Sequence, residues 1–276
     1  MTDSTWLTVR VMPGSRRDAV MAALFEAGAQ GVQELGDKLI TQVPDRATAD
    51  AISAAAIAAS PDAVVETEAL PDVDWSVAWK QSIRAQTLGA LTVTPPWLAD
   101  GLDPAMTIAI EPGMAFGTGE HATTRGVVRL LQSVIRSGDH VADLGTGSAV
   151  LAIAAAKLGA ASVAAIELDP DAIGNAEENV VRNGVADRVT VIEGDAASLL
   201  PLVAPVRVIT ANIISSVLLE LLPVLVSSLA SDGRVILSGI LFTERDDMIR
   251  AVTAAGWRVE AEDQEDAWWS TTIARR

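Results

Sequence analysis

A short apolar run, a glycine turn, a helical pattern and a second apolar run ending in an acid occupy residues 140–167. The first part reads Val141-Ala142-Asp143-Leu144-Gly145-Thr146-Gly147-Ser148, and the second ends in Ala164-Ala165-Ile166-Glu167. Strand, Gly-rich turn, helix, strand and acid, in that order, make half of a doubly wound parallel sheet. Both glycines and both acids then fall at the carboxyl edge of the sheet, where such folds hold their ligands.

The alternation continues toward the C-terminus. Periodicity predicts a helix over 123–136, a strand over 140–144, a helix over 149–158 and a strand over 162–168. A helix over 170–182 follows, with Asp169 as N-cap and Pro170 as first helical residue. Strands are expected over 189–193, 206–210 and 234–238, with helices over 216–229 and 243–254. Two strands, 257–262 and 268–273, close the chain without a helix between them, which predicts a terminal antiparallel hairpin.

The N-terminal part has another rhythm. Strand 6–12, helix 16–27, strands 31–35 and 39–43 turned at Gly36-Asp37, helix 48–59 and strand 63–69 give the β-α-β-β-α-β order of a ferredoxin-like α+β domain. Pro71-Asp72-Val73-Asp74 breaks this pattern. A linker helix then starts at Asp74-Trp75, with Trp75 and Trp79 on one face as a hydrophobic clasp. Strands at 91–94 and 107–110 flank Pro95-Pro96. The expected division is an N-terminal domain over 1–70, a linker and connecting segment over 71–105, and an α/β domain over 106–276.

Composition removes several classes of chemistry. The chain has 276 residues, half of them hydrophobic, which supports full-sized cores rather than disorder. It has no cysteine, so disulfides, thiolate catalysis and Cys-ligated metal are ruled out. With His121 and His140 as the only histidines, a multi-His metal site is ruled out too, and no metal is expected. No apolar run reaches the roughly 18 residues of a membrane span, and the first residues carry no basic or apolar leader pattern, so a cytoplasmic protein is expected. The formal net charge of −16 opposes direct binding of nucleic acid and favours a basic partner.

Two ligand classes compete for the glycine turn. A dinucleotide fingerprint asks for a third glycine where this chain has Val150. S-adenosylmethionine carries no phosphate, needs close backbone approach at Gly145 and Gly147, and needs an acceptor for ribose hydroxyls, which Glu167 offers. The terminal hairpin also favours a methyltransferase sheet. Asn212, in Thr210-Ala211-Asn212-Ile213, is either a turn residue or an amide beside the reacting methyl. Asp195 is either a turn acid or an acceptor for the adenine amine. The loop Phe116-Gly117-Thr118-Gly119-Glu120-His121-Ala122-Thr123-Thr124 runs into a helix start, as a lid with a Thr N-cap or as a fold over a ligand carboxylate.

That loop resembles the signature of the PrmA family, the methyltransferases of large-subunit ribosomal protein eleven. So do Asp143-x-Gly145-x-Gly147-Ser148, Leu151-Ala152-Ile153-Ala154-Ala155, Leu158-Gly159-Ala160, Asp169-Pro170, Asn179, Ala211-Asn212-Ile213 and the Asp74-Trp75…Trp79-Lys80 linker. The resemblance covers nearly the whole chain. It implies a seven-strand methyltransferase sheet and an N-terminal domain that grips the protein substrate. It implies methyl transfer from S-adenosylmethionine to lysine side chains and the α-amine of that ribosomal protein; apart from the resemblance, a monomer is expected. Cofactor contacts carry over to Thr124, Gly145, Glu167 and Asn212, with Phe116, Gly147 and Asp195 as weaker candidates; Asn212 would also orient the acceptor amine. The chain departs from the family pattern at Glu120 and Ala122, at Thr146 and Ala149, and at Glu167, where Asp is usual. The rival readings are a methyltransferase of this fold acting on another protein or a small amine, an NAD-linked oxidoreductase, and a non-catalytic binder.

Overall fold

In the computed structural model, which describes residues 6–69, 83–113 and 116–276, the chain separates into two units, Met1–Ser82 and Ile83–Arg276. The linker helix expected from residue 74 lies outside the described residues.

In the first unit, alternation in β1 (Leu7–Met12) sends Leu7, Val9 and Val11 toward the helices. Helix α1 (Arg17–Glu26) meets them with Val20 and Leu24. Strands β2 (Gln33–Leu35) and β3 (Lys38–Val43) follow. Helix α2 (Arg46–Ala59) contributes Ala49, Ile52 and Ala56 to the same core, and β4 (Val64–Ala69) completes the unit. Helix α2 starts two residues earlier than periodicity indicates because Asp45 caps it, accepting from the Thr48 amide at 2.8 Å. The sheet is antiparallel in the order β2-β3-β1-β4.

The second unit opens with a small sheet. Strands β5 (Gln86–Leu88) and β6 (Leu91–Thr94) are antiparallel, and β7 (Thr107–Ala109) joins β6 in parallel. Helix α3 (Ala122–Val134) leads into the large sheet. Its strands are β8 (His140–Leu144), β9 (Ser162–Glu167), β10 (Val189–Glu193), β11 (Val206–Asn212), β12 (Leu229–Leu241), β13 (Trp257–Glu265) and β14 (Trp268–Arg275). The order is β10-β9-β8-β11-β12-β14-β13; the first five are parallel, and β14 runs antiparallel to β12 and β13. The doubly wound sheet with its terminal hairpin is the architecture the periodicity indicates.

Alternation assigns each strand residue to a face. Val141, Val208 and Ile236 pack with α3, α4 (Val150–Lys157) and α5 (Pro170–Arg182). Ala142, Leu144, Ile209, Val235 and Leu237 pack with α6 (Ala196–Val203), α7 (Ser215–Ser228) and α8 (Arg245–Ala254). Chain order reverses between β8 and β11, which neighbour each other in the sheet. That reversal opens a crevice at their carboxyl ends.

Candidate active site at the carboxyl edge of the sheet

The chain leaves β8 through Gly145 (φ +68°) and Gly147 (φ +53°), backbone conformations that L side chains rarely adopt. Gly147 is further constrained because a Cβ there would lie 2.4 Å from the Phe116 carbonyl oxygen. Close approach is needed because two segments are joined at this turn. The Ser148 amide donates to the Phe116 carbonyl at 3.0 Å, and the Ser148 hydroxyl donates to the Gly117 carbonyl at 2.6 Å. On the other side, the Gly145 and Thr146 amides both donate to the Ile166 carbonyl, at 2.9 and 3.0 Å. The turn is thereby held to the end of β9 and to the loop before α3.

Glu167 ends β9 and faces this turn. One carboxylate oxygen accepts from the Gly147 amide at 2.7 Å; the other accepts from the Leu168 and Asp169 amides at 2.8 and 3.0 Å. A carboxylate has about four acceptor positions, so the oxygen facing Gly147 keeps capacity for one further donor. Asp169 caps α5 through the Asp171 amide. Asp195 caps α6, accepting from the Ser198 amide at 3.0 Å and its hydroxyl at 2.8 Å, and the hydroxyl contact holds the carboxyl below its usual range.

A cavity of about 530 Å³ lies over these groups. Phe116, Gly145, Gly147, Glu167, Asp195 and Asn212 line it, with Leu168, Ala172, Ile213, Ile214, Val217 and Leu221 making an apolar wall. Thr124 is not among the lining residues; it sits fully buried in the first turn of α3. Two buried side-chain oxygens in these segments have no hydrogen-bond partner, Thr124 Oγ1 and Asn212 Oδ1. Buried polar atoms are normally paired; Ser228, Trp257, Thr272 and Arg275, none of them in the cavity lining, each leave one unpaired as well.

Beneath the turn lies Asp143, fully buried. It accepts from the hydroxyls of Thr146 and Thr210, both at 2.6 Å. Burial pushes its carboxyl up to about 6, against the two hydroxyls that hold it down. His121 is the N-cap of α3. Its Nδ1 lies 2.7 Å from Thr123 Oγ1 and accepts weakly from the Thr123 amide at 3.4 Å. Its ring sits edge-on to Phe116 at 5.1 Å and to Trp268 at 4.9 Å. Burial, then the nearby Arg125 guanidinium, hold the imidazole below its usual pKa, so it is neutral at pH 7. Among the described residues, no group of three or more His, Asp or Glu is arranged to hold a metal ion.

Comparison with known proteins places this geometry in a family. The model of the ribosomal protein L11 methyltransferase (PrmA) family matches residues 38–276. The chain belongs to that family. It is 40% identical over 210 residues to a ribosomal protein L11 methyltransferase of Exiguobacterium, spanning 75% of this chain and 66% of the relative. It therefore covers just under two thirds of that protein's length. The corresponding protein of Thermus thermophilus is 35% identical over 255 residues, spanning 91% of this chain and 92% of that one. The crystal structure of a ribosomal protein L11 methylase from Lactobacillus delbrueckii subsp. bulgaricus matches with a TM-score of 0.62 and 32% identity, covering 70% of this chain and all of that one.

Helix α6 and the apolar wall are parts of the site that the periodicity of this sequence leaves unread. Pro201 interrupts α6 and obscures its period. The available signal is Asp195 followed three residues on by Ser198, ahead of the apolar run Leu199-Leu200. The wall needs Ala172 of α5 and Val217 and Leu221 of α7 to be brought to one place, and no local pattern encodes that.

Proposed function

We propose that this chain transfers methyl groups from S-adenosylmethionine to amines of large-subunit ribosomal protein eleven, on lysine side chains and the N-terminal α-amine. The observation that carries the reading is the pair of orphaned oxygens, Thr124 Oγ1 and Asn212 Oδ1, in segments flanking a cavity floored by the Gly145–Gly147 turn and edged by Glu167. Family membership supplies the reaction class, and the residues present fit the donor.

When bound, the donor supplies an electrophilic methyl group on a sulfonium. Gly145 and Gly147 present main chain to its amino-acid part along the cavity, and Thr124 Oγ1, buried and unpaired behind the lining, reaches it once the first turn of α3 shifts on binding. Glu167 accepts a ribose hydroxyl through the oxygen that also takes the Gly147 amide. Holding both hydroxyls bidentately, as the sequence implies, requires the side chain to release an amide from its second oxygen. Asp195 keeps one carboxylate oxygen outside its capping bonds and can accept from the adenine amine.

The acceptor must arrive as a neutral amine, while free lysine has a pKa near 10.4. The more buried part of the apolar wall, Ile213 and Leu221, disfavours the ammonium form. Asn212 Oδ1 accepts an amine N–H and aims the nitrogen lone pair, and alignment supplies much of the rate. His121 Nδ1 is used in capping α3, so no role as a base is assigned to it.

The remaining roles follow from the same reading. The N-terminal unit grips the substrate. The net charge of −16 attracts a basic ribosomal protein and repels nucleic acid. The enzyme works as a monomer in the cytoplasm, and among the described residues no helix is long and apolar enough to cross a membrane. Mass spectrometry of purified ribosomal protein eleven after incubation with the enzyme and S-adenosylmethionine tests the proposal. Gains of whole methyl groups on lysine and the α-amine support it; an unmodified protein, with methyl groups delivered to another protein or a small amine, overturns the substrate.

A further inference from the structure

The carboxylate of Glu265 is shared between two arginines of α3. One oxygen takes the Arg125 guanidinium, from Nε at 2.8 Å and Nη2 at 2.5 Å. The other takes Arg129 Nη2 at 2.7 Å. Arg129 also makes a fork to Asp263, at 2.8 and 2.6 Å. Helix α3 comes this near the hairpin because Gly126 faces it; a Cβ there would lie 2.7 Å from Ser270 Oγ and 3.0 Å from Asp263 Oδ1. The Arg125 side chain is only 15% exposed and that of Glu265 30%. Both arginines hold the Glu265 carboxyl below its usual range, Arg125 first. The network therefore stays charged at neutral pH.

Arg125 has one more partner, which distinguishes it from Arg129. Its Nη1 donates to the backbone carbonyl of Glu120. Glu120 lies in the segment from Phe116 to His121, whose other end is held by Ser148 through the Phe116 and Gly117 carbonyls. Trp268, three residues beyond Glu265, stands edge-on to His121 in the same segment. The far end of the loop that lines the cavity with Phe116 is thus held by the α3 guanidinium that Glu265 of the hairpin binds, and by the Trp268 ring of the hairpin.

We propose that Glu265 is a positioning residue for donor binding: it orients Arg125, and Arg125 fixes the Glu120 carbonyl so that the Phe116–His121 segment stays seated over the glycine turn. Glu265 touches neither donor nor acceptor; it acts through Arg125. Asp263 belongs to the same ion-pair cluster but binds only Arg129, so it adds to stability without holding the loop. The inference rests on the methyl-donor reading of the cavity.

Two measurements on the full-length protein test it: calorimetric titration with S-adenosylmethionine, and amide hydrogen exchange of residues 116–121 without ligand. Glu265→Gln is expected to weaken donor binding by about tenfold and to speed exchange in the loop, as loss of a charge-assisted hydrogen bond implies. Arg125→Lys keeps the charge and loses the fork, and is expected to behave alike. Asp263→Asn is expected to keep donor affinity within about twofold, since its bonds end on Arg129. In turnover, Glu265→Gln raises the donor KM more than it lowers kcat, the split expected of a lost positioning contact.

Equal effects of Glu265→Gln and Asp263→Asn would show a merely structural cluster and overturn the proposal. So would unchanged donor affinity and loop exchange in both Glu265→Gln and Arg125→Lys. A wild-type protein that binds no donor would sink the methyl-donor reading instead, while exchange of the ligand-free loop would still report on the clamp.

Discussion

Thr210 donates its hydroxyl to the buried carboxylate of Asp143 at 2.6 Å, across two strands that neighbour each other only because the sheet order reverses there. Their pairing is direct, Thr210 opposite Asp143, so both side chains stand on the same face under the glycine turn.

Asp143 makes stability depend on pH. Its folded pKa, raised from 3.8 to about 6, means the folded state holds the proton more tightly than the unfolded one. Its contribution is then fully present below about pH 3.8 and is lost as pH rises through about 6. Asp143→Asn removes that loss. Its unfolding free energy relative to wild type should improve by about 1–2 kcal/mol between pH 5 and pH 8. Urea denaturation at the two pH values checks this; a difference that does not move with pH contradicts it.

Thr124 separates stability from binding. Its hydroxyl is buried and unpaired, so Thr124→Val breaks no internal hydrogen bond. Stability should hold or rise by up to about 1 kcal/mol, because an unpaired buried polar group is removed. Donor affinity should fall by about tenfold, as for one lost hydrogen bond. Thermal melting and calorimetric titration on one sample measure both; a clear loss of stability would show that the hydroxyl has an internal partner.

Glu167→Ala leaves the Gly147, Leu168 and Asp169 amides without their acceptor as well as any ribose hydroxyl. Donor binding should weaken by more than about tenfold. Glu167→Gln keeps an acceptor oxygen and should lose less. Unchanged affinity in the alanine variant, by equilibrium dialysis, would remove Glu167 from the site.

Ala149 ends the glycine turn with φ +65°, a left-handed conformation in a fully buried residue. An L side chain there costs about 1–2 kcal/mol, offset in part because alanine restricts the unfolded chain. Ala149→Gly should therefore stabilise the protein by about 0.5–1 kcal/mol. A lowered melting temperature would mean that packing of the methyl group outweighs the strain.

The large sheet was legible because each of its elements carries its own period and punctuation. Asp169-Pro170 starts α5 and Gly145-Thr146-Gly147 ends β8, each within a few residues of chain. The helix at 196–203 was not legible, since Pro201 breaks its period. Candidate residues for the site were legible where they end strands: Gly145, Glu167, Asp195 and Asn212 meet at one cavity. Thr124 was found by motif and lies behind the lining, not on it.

The sequence by itself determined strands, helices, caps and the glycine turn, because backbone preference and side-chain periodicity act between near neighbours. It also removed thiol and multi-His chemistry by composition. Only the tertiary structure decided which distant groups meet. Ser148 is bonded to Phe116, Asp143 to Thr210, and Arg125 to Glu265, 140 residues away. It also decided that Glu167 already spends most of its acceptor capacity on amides, and that Thr124 and Asn212 are left unpaired. Hydrogen bonding at close range and exclusion of water depend on where the sheet reverses and how the hairpin returns, and no local pattern carries that information.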